Sequence, residues 1–157
     1  MASISITYRK TPLKKLVSLK SLIVKGMISP RVEVLMQQPA VEAITLAFED
    51  GWMGRVDEES FMFSDDFREI LLFPREDSKI DERAAIVAYG KALQRCVAAS
   101  PHRPRHLLEI AHDCACGRVI SLSDLHLQLE RRQSAAIYIP IIVIILALLG
   151  VLYGLGH

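Results

Sequence analysis

Histidine and cysteine, which supply the nitrogen and sulfur ligands of zinc, are concentrated in one short stretch of the chain, 102–116. The candidate ligands in this stretch are His106, His112, Cys114 and Cys116. The C-x-x-C spacing of common zinc sites is absent, and helical residues two positions apart point about 200° away from each other. Either a zinc site forms, or Cys114 packs in the core and the histidines lie on the surface. We expect the second and therefore no cofactor, with zinc as the alternative.

Sequence signatures of catalysis are missing. The chain has no G-x-G-x-x-G, H-E-x-x-H or G-x-S-x-G motif, and Gly90-Lys91 lacks the upstream glycine of a phosphate-binding loop. The adjacent carboxylates at 57–59 and 65–66 have the pattern of solvated or capping residues. We therefore expect a protein that is not an enzyme.

The longest uncharged segment, 135–155, predicts a transmembrane helix. It contains 21 residues, and a helix of that length is roughly 30 Å long, which matches the hydrocarbon thickness of a bilayer. Arg131 and Arg132 precede it, so the positive-inside rule places the N-terminal side in the cytosol. The sequence thus predicts a tail-anchored, single-pass membrane protein whose partners include the lipid bilayer.

Residues inside the predicted span add detail to this interpretation. Tyr138 and Tyr153 lie near its two ends, where interfacial aromatic side chains are common, and Pro140 falls in its first turns. Gly150 and Gly154 form a G-x-x-x-G motif, which allows close helix–helix contact. The motif predicts either homo-oligomerisation through the span or pairing with another helix.

The N-terminal segment is basic, because no acid precedes Glu33. Thr11-Pro12 and Gly26 predict the two ends of an amphipathic helix. Its lysines are Lys14, Lys15, Lys20 and Lys25. Three interpretations remain open: packing on the domain with a solvated lysine face, contact with an anionic membrane surface or a partner, or an organelle transit peptide. In the last case the domain would face a matrix or stroma and begin near Ser29.

The intervening pattern is mainly helical. Residues 2–8 alternate as a short strand does, and 52–63 has the pattern of a loop or hairpin. Helices are predicted over 40–48, from Ser64 to Phe73, over 81–99 and over 105–115, with a charged linker over 75–81. In the helix over 105–115, the apolar spacing predicts that Leu108 is buried with its neighbours. Residues 122–155, capped by Ser121 or Ser123, are predicted to form one continuous helix or two nearly collinear ones. The predicted class is mainly α, or α+β if an N-terminal strand or hairpin forms. We divide the chain into a basic arm (1–28), a small helical cytosolic domain (29–121), a juxtamembrane helix (122–134) and the transmembrane helix (135–155).

The net charge and the cysteine count exclude further classes of protein. A net charge of +1 argues against nucleic acid as a partner, because phosphate neutralisation needs a surplus of basic residues. Three cysteines are an odd set, and a cytosolic domain keeps its thiols reduced, so no disulfide framework is expected. We expect a non-catalytic membrane adaptor, assembly factor or accessory subunit that binds protein subunits of a membrane complex. The alternatives are a metal- or thiol-dependent enzyme or sensor, and a membrane-active protein that oligomerises through its span.

Overall fold

The computed structural model describes residues 15–51, 54–131 and 143–147. The elements in chain order are β1 (Leu16–Ser18), α1 (Leu19–Val24), α2 (Pro30–Leu35), α3 (Gln38–Glu49), β2 (Gly54–Arg55), β3 (Phe61–Ser64), β4 (Ile70–Leu72), β5 (Arg75–Lys79), α4 (Glu82–Ala99) and α5 (Arg105–Ala115). A further helix, α6, covers 122–131, and 143–147 are also helical. The fold is therefore mainly α with a small sheet, as predicted.

The three-stranded sheet has β3 at its centre, antiparallel to β1 on one side and to β4 on the other. Phe63 lies opposite Val17 of β1 and Ile70 of β4. Phe61 and Phe63 alternate along β3 and are both buried, because side chains two apart on a strand point to the same face. β2 and β5 form a separate antiparallel ribbon. The hairpin considered within 52–63 is therefore wrong, since β2 and β3 have other partners.

The N-terminal helix predicted from Thr11 to Gly26 is wrong in its extent. Residues 16–18 form a strand, and the helix begins at Leu19. The Ser18 hydroxyl accepts a 3.2 Å hydrogen bond from the Ser21 N–H and so caps the helix at this point. Gly26 follows the helix with a φ of +64°, the left-handed conformation of a helix stop. The strand expected over 2–8 lies outside the described residues.

The short helix predicted from Ser64 to Phe73 is also wrong, because this segment is a turn followed by β4. The Ser64 hydroxyl accepts hydrogen bonds from the N–H groups of Arg68 and Glu69 at 3.2 and 3.1 Å. Phe67 has a φ of +51°, which a right-handed helix cannot accommodate. The serine thus closes a turn between paired strands instead of capping a helix. The predicted charged linker over 75–81 is likewise mainly a strand, β5.

Helices α4 and α5 confirm their predictions and pack closely against each other. The Asp81 carboxylate accepts a 2.7 Å hydrogen bond from the Ala84 N–H and caps α4. At Gly90 the two backbones come so close that an added Cβ would lie 2.5 Å from the Ala115 nitrogen and 2.6 Å from the Cys114 Cβ. Gly90 therefore permits the crossing that organises this half of the core.

The core is continuous across most of the elements. Tyr89 is completely buried, donates a 2.6 Å hydrogen bond to the Met36 carbonyl and packs edge-on against Phe61 with ring centroids 6.4 Å apart. Leu19 of α1 and Leu125 of α6 are equally buried in the same cluster. Residues before position 28 and residues after position 121 thus belong to the same core as the predicted helical domain. The division of the chain into arm, domain, juxtamembrane helix and transmembrane helix stays a prediction.

Candidate functional site

The structure does not bring the four predicted metal ligands together. Cys114 faces the core, where burial raises its pKa to about 12, with Asp113 and Asp124 adding smaller effects in the same direction. Cys116 and His106 are exposed. In the ranges 15–51, 54–131 and 143–147, no three histidine, cysteine or acidic side chains are grouped so that they could hold a metal ion. The expected packing of Cys114 is confirmed, as is its divergence from Cys116.

Two of the four ligands do lie side by side. His112 and Cys116 are one turn apart at the C-terminal end of α5, and both are exposed. The Cys116 sulfur lies 3.6 Å from Nε2 and 3.8 Å from Nδ1 of His112. Leu108, one turn before His112, is 46% exposed although the periodicity predicted it to be buried. The exposed face of α5 thus combines a thiol, an imidazole and an apolar side chain.

The predicted membrane-contact lysines are on the surface where the structure describes them. Lys15 and Lys25 are exposed, and the Lys20 ammonium lies 2.6 Å from the Glu59 carboxylate. Arg131 is exposed and is the last described residue of α6. The other predicted membrane or helix-contact residues lie outside the described residues; they are Lys14, Arg132, Tyr138, Pro140, Gly150, Tyr153 and Gly154.

Most of the predicted span also lies outside the described residues. Only residues 143–147 of the span are described, and their side chains are exposed. Among the helices in the described part of the chain, none has both the length and the apolar character needed to cross a bilayer. The anchor therefore stays a prediction of the sequence.

Helix α6, predicted as a juxtamembrane segment, is integrated into the domain. Of the two predicted caps, Ser121 is the one that acts: its hydroxyl accepts a 3.1 Å hydrogen bond from the Asp124 N–H. Leu125 and Leu129 are buried in the core. The Leu122 N–H donates a 2.6 Å hydrogen bond to the Glu82 carboxylate at the start of α4. Packing and backbone contacts together fix α6 to the domain.

A side-chain cluster connects α6 to α3. The ring Nδ1 of His126 lies 2.7 Å from the Gln38 side-chain oxygen, and the Gln38 amide nitrogen donates a 3.2 Å hydrogen bond to the His126 carbonyl. Nε2 of the same ring lies 3.5 Å from the Thr45 hydroxyl. Gln38 therefore contacts both the ring and the backbone carbonyl of His126. Sequence reasoning did not identify this contact, because its partners are about ninety positions apart in the chain.

An open groove runs between α4 and the segment that follows β2. Its volume is about 590 Å³. The floor is apolar and consists of small or β-branched side chains, namely Val56, Ala84, Val87, Ala88 and Ala92. The rim carries seven charged side chains, namely Arg55, Asp57, Glu58, Asp81, Arg83, Lys91 and Arg95. A groove of this size accommodates a few side chains of a partner, not a folded domain.

The three carboxylates on this rim are already engaged within the protein. Asp57 accepts hydrogen bonds from the N–H groups of Glu59 and Ser60, at 2.8 and 3.1 Å, and its other oxygen lies 3.1 Å from the Arg75 guanidinium. Glu58 pairs with Arg95. Asp81 is the cap of α4. The run 57–59 thus acts as a turn-capping and ion-pairing segment, which agrees with the sequence interpretation.

Two cations on the rim have no carboxylate partner among the described residues. Lys91 is exposed and makes no ion pair with them, and the Arg83 guanidinium donates a 3.4 Å hydrogen bond to the Gly117 carbonyl. With four cations and three satisfied carboxylates, the groove presents positive charge over an apolar floor. Sequence reasoning missed this site, although Arg83, Val87 and Lys91 recur at the four-residue spacing of one helix face.

No family model matches the chain, and no curated protein or solved structure matches it either.

Proposed function

We propose that this protein is a non-catalytic adaptor or accessory subunit of a membrane protein complex, tail-anchored through 135–155, with its domain on the cytosolic side. In this proposal the groove beside α4 binds a short amphipathic segment of a partner subunit. The occupant carries small apolar side chains that cover the floor and at least one carboxylate that pairs with Lys91 or Arg83.

The observation that supports the proposal most strongly is the imbalance of charge in the groove. Arg83 and Lys91 have no carboxylate partner among the described residues, whereas Asp57, Glu58 and Asp81 already have donors. A partner carboxylate would gain a charge-assisted contact, while a basic segment would meet uncompensated positive charge. Apolar side chains of the same segment would remove the alanine and valine floor from water.

The attachment of α6 supports the anchoring part of the proposal. Leu125 and Leu129 are core residues, and Gln38 holds His126, so the domain cannot move freely relative to the end of α6. In the sequence, only three residues separate Arg131 from the uncharged run. A short connection of this kind would hold the groove at a restricted height and orientation above the bilayer.

Membrane anchoring is tested by alkaline carbonate extraction of membranes that contain the tagged full-length chain. We expect the wild-type chain to stay in the pellet and the double variant Ile144→Lys/Leu146→Lys to move to the supernatant, because charges at the centre of a span cost about 2.5–3.5 kcal/mol each. Recovery of the wild-type chain in the supernatant would overturn the anchor.

Partner binding is tested by purification from native membranes in a mild detergent. We expect co-purifying subunits to be lost from the Arg83→Glu/Lys91→Glu variant and retained by Arg31→Glu/Arg105→Glu, which makes the same change of charge at two exposed arginines outside the groove. If both variants retain the same subunits, the groove is not the binding surface. Binding to phosphatidylserine vesicles is measured for the same variants. If the groove variant keeps its co-purifying subunits but no longer binds these vesicles, the occupant of the groove is a lipid and the adaptor proposal is wrong.

A further inference from the structure

The turn between α1 and α2 exposes apolar side chains on both sides of a lysine. Residues 24–27, the apolar tip, are all exposed, and the exposed fraction is 79% at Val24 and 53% at Met27, with Lys25 between them. Val34 of α2 is also 57% exposed. Three of the seven exposed large apolar side chains described before position 132 therefore lie in one short stretch. Single exposed apolar residues are ordinary, but such a concentration indicates a contact surface.

The charge around the apolar tip is positive. No acid precedes Glu33 in the sequence, and Glu33 itself is buried and accepts a hydrogen bond from the Ser100 hydroxyl. The Lys20 ammonium is paired with Glu59, whereas Lys25 is exposed and makes no ion pair with the described residues. Apolar side chains beside a cation, without an acid, are complementary to an anionic lipid surface.

The contact between α3 and α6 places this region on the side of the predicted anchor. Gln38 follows the end of α2 at Leu35 by three residues and donates a 3.2 Å hydrogen bond to the His126 carbonyl. The carbonyls of a helix point toward its C-terminus, so Gln38 lies on the side of His126 that is nearer to Arg131. Three residues span at most about 11 Å. The end of α2 therefore lies near the end of α6 that the predicted span follows.

We infer that Val24, Lys25 and Met27 form a second membrane contact of the domain, on an anionic leaflet. Val24 and Met27 enter the headgroup region, and the Lys25 ammonium lies beside lipid phosphate or carboxylate groups. The inference rests on the proposed anchor, which supplies the first attachment. It differs from the membrane-binding helix considered from sequence, because Leu19 and Leu22 of α1 are buried in the core. Two attachments restrict the tilt of the domain, and with it the direction in which the groove beside α4 opens.

The test measures fluorescence quenching of the full-length chain in vesicles that contain nitroxide-labelled lipid. Single cysteines replace Val24 or Ile120 in a Cys116→Ser chain, whose other two thiols are buried, and carry an environment-sensitive fluorophore. Ile120 is the matched control, because it is 78% exposed but precedes α6, roughly 15 Å along the helix from Arg131. We expect quenching at Val24 in vesicles that contain phosphatidylserine, and little in phosphatidylcholine alone. Equal quenching at Ile120, or in both lipids, would overturn the inference.

A label at Leu146 in the predicted span separates this inference from the anchor. Quenching at Leu146 without quenching at Val24 overturns the second contact and keeps the anchor. Quenching at Val24 alone supports the contact and overturns the anchor, and quenching at neither position overturns both. A Val24 label that is quenched in vesicles but protected from nitroxide lipid in native membranes would assign the apolar tip to a partner protein, and would also overturn the inference.

A charge variant tests the part played by Lys25. Lys25→Gln should lower the ratio of quenched to unquenched Val24 label about 5-fold in phosphatidylserine vesicles, the change in equilibrium that corresponds to one basic residue at an anionic surface. Lys79→Gln is the control, because Lys79 is an exposed lysine of β5 and belongs to neither α1 nor α2. An equal decrease with both substitutions, or none with Lys25→Gln, contradicts a contact through Lys25.

Discussion

Gly90 of α4 lies so close to Ala115 of α5 that a Cβ on the glycine would stand 2.5 Å from the Ala115 backbone nitrogen. The obstacle is backbone, which cannot rotate away as a side chain can. The long-range contact of buried Tyr89 with Met36 and the local, exposed His112–Cys116 pair both belong to helices held at this crossing.

Gly90→Ala should destabilise the domain although alanine is the better helix former. We expect a loss of about 1–3 kcal/mol, the usual cost of overpacking. Ala98→Gly, at an exposed site of the same helix, calibrates the intrinsic preference, which favours alanine by about 1 kcal/mol. Denaturant unfolding of the full-length chain in micelles measures both. If Gly90→Ala instead raises the unfolding free energy by as much as Ala98→Gly lowers it, the two helices do not approach closely at Gly90.

Helix α6 should behave as part of the core. Leu125→Ala removes a completely buried side chain and should cost about 2–5 kcal/mol. Leu127→Ala, two residues away and 51% exposed, should change the unfolding free energy by less than about 0.5 kcal/mol. Equal effects of the two substitutions in the same unfolding experiment would show that α6 is not docked, and would remove the structural support for a fixed orientation above the membrane.

The three thiols should differ sharply in reactivity. Cys116 is exposed, whereas Cys96 and Cys114 are buried, and burial raises the pKa of each buried thiol to about 12. At neutral pH without metal, a maleimide should label one thiol rapidly in the native chain and three in the unfolded chain. Cys116→Ser should abolish the rapid phase. Rapid labelling of a second thiol in that variant would contradict the burial of Cys96 and Cys114.

Stability should fall in alkali because of the same two thiols. Unfolded cysteine titrates at a pKa of 9.0, whereas burial raises the pKa of Cys96 and Cys114 to about 12 in the folded chain. Between these values the unfolded chain holds fewer protons, so the unfolding free energy decreases as pH rises. The stabilisation is fully present below pH 9 and is lost as pH rises through about 12.

Unfolding measured at pH 8 and pH 10.5 tests this dependence. The double variant Cys96→Ala/Cys114→Ala should show a shallower decrease, since two of the responsible groups are gone. The remaining slope includes Tyr89, whose pKa burial also raises. Cys116→Ala is the control and should keep the wild-type slope. An unchanged slope in the double variant would show that the buried thiols do not control it.

Local patterns predicted the two central helices. Asp81 as an N-cap, prolines between the helices and Gly117 with its φ of +70° all act within a few residues of the boundaries that they set. Only the exposure of Leu108 differs from expectation. These boundaries could be read from sequence because capping and helix stops depend on neighbours in the chain.

The sheet could not be predicted in the same way. Ser64 and the acids after it have the composition of a helix start, yet the serine closes a turn that allows β4 to pair with β3. Whether such a serine caps a helix or a turn is decided by the partners of the flanking strands. β1 pairs with a strand more than forty positions away, so no local pattern specifies it.

The candidate sites were predictable only in part. The divergence of Cys114 and Cys116 followed from helical geometry, but the 3.6 Å approach of His112 to Cys116 depends on side-chain rotamers. The groove was not predictable, because its apolar floor and cationic rim combine α4 with a segment that precedes it by about thirty residues. Single-sequence patterns do not reveal which charges remain without a partner.

The most direct test of the adaptor proposal is photo-crosslinking from the groove in native membranes. A photoreactive residue replaces Ala84, whose side chain lines the groove and is exposed, and the crosslinked peptide is sequenced. We predict one segment of a membrane-complex subunit that contains Asp or Glu among apolar residues. The crosslink should be lost with Lys91→Glu and retained with Arg105→Glu, which changes an exposed cation outside the groove. A basic segment, a lipid adduct, or a crosslink unaffected by Lys91→Glu would contradict the proposal.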